Sequence, residues 1–197
     1  MTGVDITRTF VRYAREAETE RPLGIRYELA SAVELPFEEP AFDFATAFMS
    51  LMDIPETGRV LAEVFRVLRP GGFFQFSIEH PCFNPPHRRT LRDDDGNAYA
   101  REVGEYFRAM HGEPDEWIFS AAPTDIRENL RPFQVPRFTR TLSEWLNLLV
   151  QTGFVLEQFG EPCPDDEAVR ERPRLQSAQV VAFFLHVRAR KPVLTDG

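Results

Sequence analysis

The chain is poor in cysteine. It has only Cys82 and Cys163, which are too few and too far apart for a disulfide framework. Because structural disulfides belong to oxidising compartments, we expect a reducing compartment, the cytoplasm. The two cysteines do not combine with His80 and His87 in the spacing of a zinc site. We therefore expect no bound metal.

Long apolar runs are also lacking. No stretch of the sequence approaches the roughly 20 apolar residues that span a bilayer. The N-terminal residues carry neither a basic leader nor an apolar segment of signal-peptide length. The sequence therefore predicts a protein without a membrane partner.

Positive charge is in the minority. The 197 residues include 23 Lys and Arg against 31 Asp and Glu, which gives a formal net charge of −8. Such a chain has no general positive field to hold a nucleic-acid backbone, so a small-molecule partner is favoured over nucleic acid. Association into a homo-oligomer stays open.

Apolar residues are present in the normal proportion. They make up 43% of the chain, which is enough to build the core of a single domain of residues 1–197. Strand patterns at 2–6 and 41–48 are each followed by helical spacing, which predicts an α/β fold. The β-type runs at 154–159 and 179–187 have no helical pattern between them and predict an antiparallel pair.

Residues 81–140 differ from the rest in their proline content. Seven of the 16 prolines lie between positions 81 and 136, and proline interrupts long regular elements. We expect a lid or substrate-binding insertion at 81–140. It should be irregular apart from a short helix around 99–110.

The ends of the predicted strands carry the candidates for ligand binding. Loops and helix N-termini converge at the carboxyl edge of an open α/β sheet. An acidic residue there, followed by a helix, can accept hydrogen bonds from ribose hydroxyls. Asp5 fits this role, and it fits the role of a helix N-cap equally well.

Four segments in sequence order carry a more specific signal. They are Gly-Val-Asp-Ile-Thr at 3–7, Ala-Val-Glu-Leu-Pro-Phe at 32–37, Phe-Asp-Phe at 42–44 and Glu-Val-Phe-Arg-Val-Leu-Arg-Pro-Gly-Gly at 63–72. This series resembles the class I S-adenosylmethionine-dependent methyltransferases of the type 11, small-molecule kind. The resemblance implies a Rossmann-like, mostly parallel sheet with helices on both faces and a C-terminal antiparallel strand. It also implies S-adenosyl-L-methionine as cofactor and methyl transfer to a small-molecule acceptor.

The resemblance further implies a cofactor site at three strand ends. By that resemblance Asp5 would bind the ribose hydroxyls and Ile6 would pack on the adenine. Ser31 stands where the family usually has an acidic residue, which would weaken one contact by about 1 kcal/mol. The complete implied set is Asp5, Ile6, Ser31, Ala32, Phe48 and Met49.

The glycine-rich turn of such folds is not where the resemblance would place it. That turn precedes the ribose-binding acid by about 20 residues, but only four residues precede Asp5. We therefore expect an N-terminally truncated sheet that lacks the first strand and helix of the family, with impaired activity. Such a chain would be unstable, would pair the second and fourth family strands with each other, or would come from an incomplete gene.

Methyl transfer to oxygen needs an aligned acceptor, exclusion of water and a base. His80 is the candidate base or substrate ligand, and Glu79 is the second candidate; the alternative role for His80 is a backbone contact at a turn. Within the insertion, Tyr106, His111 and Trp117 are candidates for the acceptor site. Their alternative is a small core beneath a long loop.

Other functions compete with this interpretation. A catalytically inactive methyltransferase-like fragment or partner subunit would keep the fold without binding the cofactor. A nicotinamide-dependent oxidoreductase shares the acidic strand end, but Arg-Pro-Gly-Gly at 69–72 and the final strand pair argue against it. A nucleic-acid methyltransferase is disfavoured because Asn-Pro-Pro-His at 84–87 ends in histidine instead of an aromatic residue.

Overall fold

A four-stranded sheet and a separate pair of strands form the framework of the computed structural model. The model describes residues 1–38, 40–117 and 131–193, with the side chain of Trp117 outside the described part. In chain order the elements are β1 (Thr2–Asp5), α1 (Arg8–Glu20), β2 (Arg26–Leu29), β3 (Phe42–Phe48), α2 (Thr57–Val67), β4 (Leu68–Glu79), β5 (His87–Arg92), β6 (Ala98–Gly104), β7 (His111–Trp117), β8 (Phe133–Phe138), α3 (Leu142–Thr152), β9 (Val155–Gly160), α4 (Asp166–Glu171) and β10 (Phe184–Arg190). Short 3₁₀ turns occupy Leu51–Asp53 and Pro173–Gln179.

The four-stranded sheet has the order β3-β4-β10-β9. Strands β3 and β4 are parallel, whereas β10 runs antiparallel to both β4 and β9. The α/β fold and the antiparallel pairing near the C-terminus are thereby confirmed. The last strand begins later than the predicted 179–187, because the segment from Pro173 to Gln179 forms a 3₁₀ turn with proline at its start.

The hydrophobic core lies between this sheet, α2 and α3. Phe74 and Phe76 of β4 are fully buried and their rings stack at 5.1 Å. Trp145 of α3 packs 6.2 Å from the ring of Phe76. Helix α3 starts with a capping box, in which the side chains of Thr141 and Glu144 each accept a hydrogen bond from the other residue's backbone N–H. This reciprocal bonding satisfies two donors that a helix start otherwise leaves free.

Strands β1 and β2 form a parallel pair of their own, joined by α1. Within the described residues, β1 pairs only with β2 and β3 pairs only with β4. The predicted pairing of the second and fourth family strands, here β1 and β3, is therefore wrong. The β1–α1–β2 unit is linked instead through the loop at 31–37, which contacts α2.

That link depends on an ion pair of α2. Glu63 accepts a hydrogen bond from the backbone N–H of Leu35 at 2.7 Å. Arg66 bonds Glu63 through two atoms and donates to the carbonyls of Leu35 and Phe37. Charge-assisted bonds of this kind hold a loop more firmly than neutral ones. The motif residues at 63–66 thus fix the loop that leads into β3.

Two antiparallel hairpins, β5–β6 and β7–β8, form the described part of the proline-rich segment. The predicted short helix at 99–110 is wrong, since residues 98–104 form β6. The β structure is favoured because β6 pairs with β5 along its length, and the Gln176 side chain bonds both the N–H and the C=O of Ala98. In the described part of the chain, no helix has the length and apolar character needed to cross a membrane.

Candidate functional site

A cavity of about 470 Å³ opens where the carboxyl ends of β3 and β4 meet the β7–β8 hairpin and the start of α3. Its volume lies in the range of small-molecule sites. Most of its wall is apolar, with a few charged side chains between the apolar ones. The apolar lining includes Met49, Met52, Val135, Phe138, Trp145 and Phe184.

Glu79 brings a carboxylate into this wall from the last position of β4. One of its oxygens accepts a hydrogen bond from the Asn84 side chain. The same oxygen lies 3.8 Å from Nη2 of Arg137. These two partners fix the carboxylate at the cavity, where it can accept a proton from a bound hydroxyl.

Asp53 supplies a second carboxyl group from the 3₁₀ turn after β3. Burial raises the pKa of Asp53, and the negative charge of Glu79 raises it further. The cavity wall thus carries two carboxyl groups, one from the turn after β3 and one from the end of β4.

Arg137 is the better neutralised of two arginines in the wall. Its Nη1 lies 3.4 Å from Oδ2 of Asp115, which also pairs with Arg88 at 2.6 Å. Its Nη2 donates to the carbonyl of Asn84. Burial lowers the pKa of Arg137, with a smaller contribution from the positive charge of Arg88. The group is a closed network in which each cation faces a carboxylate.

Arg140 is the second arginine, and it directly precedes the N-cap of α3. Its Nη2 donates to the carbonyl of Pro55 at 2.7 Å, and its guanidinium carbon lies 5.4 Å from the centre of the Trp145 ring. Its Nη1 is buried and has no hydrogen-bond partner among the described residues. Burial lowers the pKa of Arg140.

His80 lies next to Glu79 but does not line the cavity. Its Nδ1 accepts from the backbone N–H of Cys82 at 3.2 Å, which leaves Nε2 to donate to Glu161 at 2.9 Å. The residue is only 3% exposed. With both ring nitrogens occupied, His80 fits the turn-stabilising role better than that of a base.

The three candidates from the insertion have different positions. Tyr106 lines the cavity, and its hydroxyl accepts a hydrogen bond from the N–H of Leu142 at 2.8 Å. Burial raises the pKa of Tyr106. His111 is exposed and does not line the cavity. The side chain of Trp117 lies outside the described residues.

The implied cofactor residues lie at the carboxyl ends of β1, β2 and β3. Met49 is the one that also lines the cavity. It adopts a left-handed conformation with φ of 52°, and its N–H donates to Ser77 on β4. Phe48 is exposed, while Ala32 packs on the core. The hydroxyl oxygen of Ser31 accepts a hydrogen bond from the backbone N–H of Val33, as in a turn.

Asp5 and Ile6 form an open corner at the end of β1. One oxygen of Asp5 accepts from the backbone N–H of Thr7 at 2.6 Å, and Thr7 itself is the N-cap of α1. Asp5 is therefore not the N-cap. Ile6 is 73% exposed beside it. An exposed carboxylate next to an exposed apolar side chain fits a ligand that has hydroxyl groups and also an aromatic ring.

Sequence reasoning missed several polar residues of the cavity, among them Asp53, Arg137 and Arg140. Asp53 and Arg140 follow or precede elements that were predicted, but nothing in the sequence shows that their loops meet. Arg137 lies in a strand that proline content argued against. In the described ranges, no three His, Cys, Asp or Glu side chains are grouped as a metal site would require.

Residues 1–76 match a family model described as a methyltransferase domain. The O-methyltransferase cnsE of Penicillium expansum is 29% identical in an alignment of 181 positions that covers 82% of this chain and 60% of the relative. A demethylmenaquinone methyltransferase of Listeria monocytogenes is 37% identical over 73 residues, or 36% of this chain and 31% of the relative. The chain thus spans less than two thirds of the length of either relative.

Solved structures extend the similarity to almost the whole chain. The crystal structure of an S-adenosylmethionine-dependent methyltransferase from Mesorhizobium loti superposes with a TM-score of 0.74 at 29% identity. The alignment covers 96% of this chain and 79% of that one.

Proposed function

Because this chain belongs to the class I S-adenosylmethionine-dependent methyltransferases of the type 11 family, we propose that it transfers a methyl group from S-adenosyl-L-methionine to a small organic acceptor. The observation that carries this proposal is the position of the cavity. It opens at the carboxyl ends of two parallel strands, with Met49 from the cofactor side and Glu79 in the same wall.

The residues on the cofactor side fit the cofactor's chemistry. Asp5 would hold the ribose hydroxyls and Ile6 would cover one face of the adenine, in keeping with their exposure at the end of β1. Ser31 and Ala32 would lie at the adenine edge. Met49 would border the methionine end, where its position also reaches the cavity. When bound, the cofactor supplies an electrophilic methyl group on a sulfonium sulfur.

The residues of the cavity would position the acceptor and remove its proton. We assign the role of base to Glu79 in preference to His80, because Glu79 lines the cavity whereas both ring nitrogens of His80 are occupied. Asn84 and Arg137 would orient the carboxylate of Glu79. The apolar walls would exclude water around the reacting atoms.

The lid or substrate-binding role of residues 81–140 is part of the same proposal. The described hairpins supply much of the cavity wall, including Phe138 and Arg137. We keep the cytoplasm as the expected location and expect no nucleic-acid partner, given the net charge of −8. Impaired activity also stays a prediction that only an assay can test.

Cofactor binding is the first test. Titration calorimetry of the 197-residue chain with S-adenosylhomocysteine should give a binding heat, and Asp5→Asn should raise Kd about tenfold, since it removes a charged acceptor. Asp43→Asn is the matched control, because Asp43 is an exposed carboxylate that pairs with Arg69 on another part of the sheet. A folded chain that gives no heat would support the inactive alternative, and binding of nicotinamide dinucleotide instead would support the oxidoreductase.

Transfer of a labelled methyl group to a panel of phenols and enols tests the catalytic assignment. Glu79→Gln should lower kcat by about 10²–10⁴-fold, as expected for loss of a general base, and leave the Kd for S-adenosylhomocysteine unchanged. Glu161→Gln, which alters only the partner of His80, should have a much smaller effect. Equal losses in both variants would contradict the choice of Glu79.

A further inference from the structure

Arg137 and Arg140 line the same cavity but differ in how their charges are compensated. Arg137 lies within 3.4 Å of Asp115 and 3.8 Å of Glu79. Among the described residues Arg140 forms no ion pair with a carboxylate within 4.0 Å, and its side-chain hydrogen bond goes to the neutral carbonyl of Pro55. The positive charge of Arg140 is therefore not balanced by an ion pair.

The unpartnered nitrogen of Arg140 is the second observation. Its Nη1 is buried and makes no hydrogen bond with any described residue. A buried donor without a partner costs free energy, and a charged one costs more. Glu144 is the acidic group that acts on Arg140 electrostatically, but its carboxylate is engaged with Thr141 in the capping box. A ligand carboxylate that reaches the guanidinium group would offset this cost.

The surroundings of Arg140 are aromatic and apolar. Its guanidinium group lies over the Trp145 ring, and Phe138 and Met52 belong to the same wall. Arg137, the other arginine of the described wall, is compensated, because Asp115 pairs with it and with Arg88. Arg140 is thus the cation of the described wall that lacks an ion pair.

We propose that the acceptor is an aromatic carboxylic acid whose carboxylate binds Arg140 and whose ring lies against Trp145. The inference rests on the proposed function, which identifies this cavity as the acceptor site. It goes further in naming the chemical class of the acceptor and the residue that selects it. A guanidinium group suits a carboxylate because its planar N–H groups match two oxygens.

The test compares an acid with its neutral amide. Calorimetric titrations of the complete chain with 2-naphthoate and with 2-naphthamide use ligands of almost the same shape, so their difference reports the carboxylate. We expect the acid to bind at least tenfold more tightly. Arg140→Met should abolish this preference, whereas Arg140→Lys should retain part of it, because lysine keeps the charge but not the planar geometry.

Arg89→Met is the matched control. Arg89 is an exposed arginine of β5 that pairs with Glu102 and does not line the cavity, so its replacement should leave the preference intact. The proposal is overturned if the wild-type chain shows no preference for the acid, including the case in which neither ligand binds, or if the preference survives in Arg140→Met. Because no cofactor is added, a failure of cofactor binding or methyl transfer is recorded separately.

Discussion

The β1–α1–β2 unit and the four-stranded half of the molecule have similar local patterns but different degrees of burial. In the four-stranded half, Phe74 and Phe76 are fully buried between sheet and helices. In the β1–α1–β2 unit, Phe10 of α1 is 62% exposed and Val11 is the buried residue of the helix. Amphipathic pattern alone therefore does not ensure burial, because a side chain is buried only where another layer covers it.

The two regions also differ in how their helices α1 and α3 begin. The Thr141 side chain accepts a hydrogen bond from the N–H of Glu144, and the Glu144 side chain accepts one from the N–H of Thr141. Thr7 is the N-cap of α1 by position but makes no side-chain cap bond. The residue type is the same in both cases, so the difference lies in the third position of the helix, where only α3 has the reciprocal glutamate.

The largest expected effect comes from paired truncations in the two regions. Phe76→Ala should lower the free energy of unfolding by about 3–5 kcal/mol, because it leaves a cavity in a packed core. Phe10→Ala should change it by no more than about 0.5 kcal/mol, as for other exposed sites. Urea unfolding followed by circular dichroism measures both. Equal losses would show that Phe10 is covered in solution and would remove the contrast.

Replacement of the two N-cap threonines should change the free energy of unfolding by a smaller amount. Thr141→Ala should destabilise the protein by about 1 kcal/mol, the usual cost of losing an N-cap bond. Thr7→Ala should be within about 0.5 kcal/mol of the wild type, since no side-chain cap bond is lost. Denaturant midpoints at constant m-value report the difference. A larger loss for Thr7→Ala would contradict the described start of α1.

The smallest effect concerns the contact between the two regions. The hydrogen bond from Arg66 lowers the pKa of Glu63, and the N–H of Leu35 lowers it further. A carboxyl group whose folded-state pKa is depressed stabilises the fold above its unfolded pKa of about 4.3, and loses this contribution as the pH falls through the folded value. Glu63→Gln should therefore cost about 1 kcal/mol at pH 7 and progressively less as the pH falls below about 4.

Glu16→Gln is the control for that measurement. Glu16 pairs with Arg12 at 3.7 Å on the surface of α1, and exposed pairs of this kind contribute little. Thermal unfolding of the two variants between pH 3 and pH 7 should show a pH-dependent difference from wild type only for Glu63→Gln. A difference that stays constant with pH would mean that packing, and not the charge of Glu63, holds the loop at 31–37.

Much of the fold was accessible from the sequence, and the reason is local. The helical spacing around Val64, the capping box at Thr141 and the β-type run before Met49 each depend on residues that are close in the chain. The strand pairs of the insertion were missed because a pairing partner is not visible in a local pattern, and because the proline content argues against strands. Pro114 and Pro136 instead face each other in the β7–β8 pair.

The candidate site likewise has residues that the sequence predicted and residues that only the structure identified. The strand-end positions of Asp5, Met49 and Glu79 followed from the alternation of strands and helices together with the family resemblance. The preference for Glu79 over His80 came only from the structure. The two residues are adjacent in the sequence, but their side chains lie in different surroundings. Glu79 faces the cavity, whereas His80 is held by Cys82 and Glu161.

The sequence by itself determined the α/β order of elements, the helix starts and the family motifs, since these are properties of short segments. Tertiary structure decided which charges meet in the cavity. Arg137 pairs with Asp115 on the neighbouring strand, while Arg140, three residues later, donates to the carbonyl of Pro55 and forms no ion pair among the described residues. Whether a buried charge is compensated depends on groups that are distant in the chain, and only the folded arrangement brings such groups together or keeps them apart.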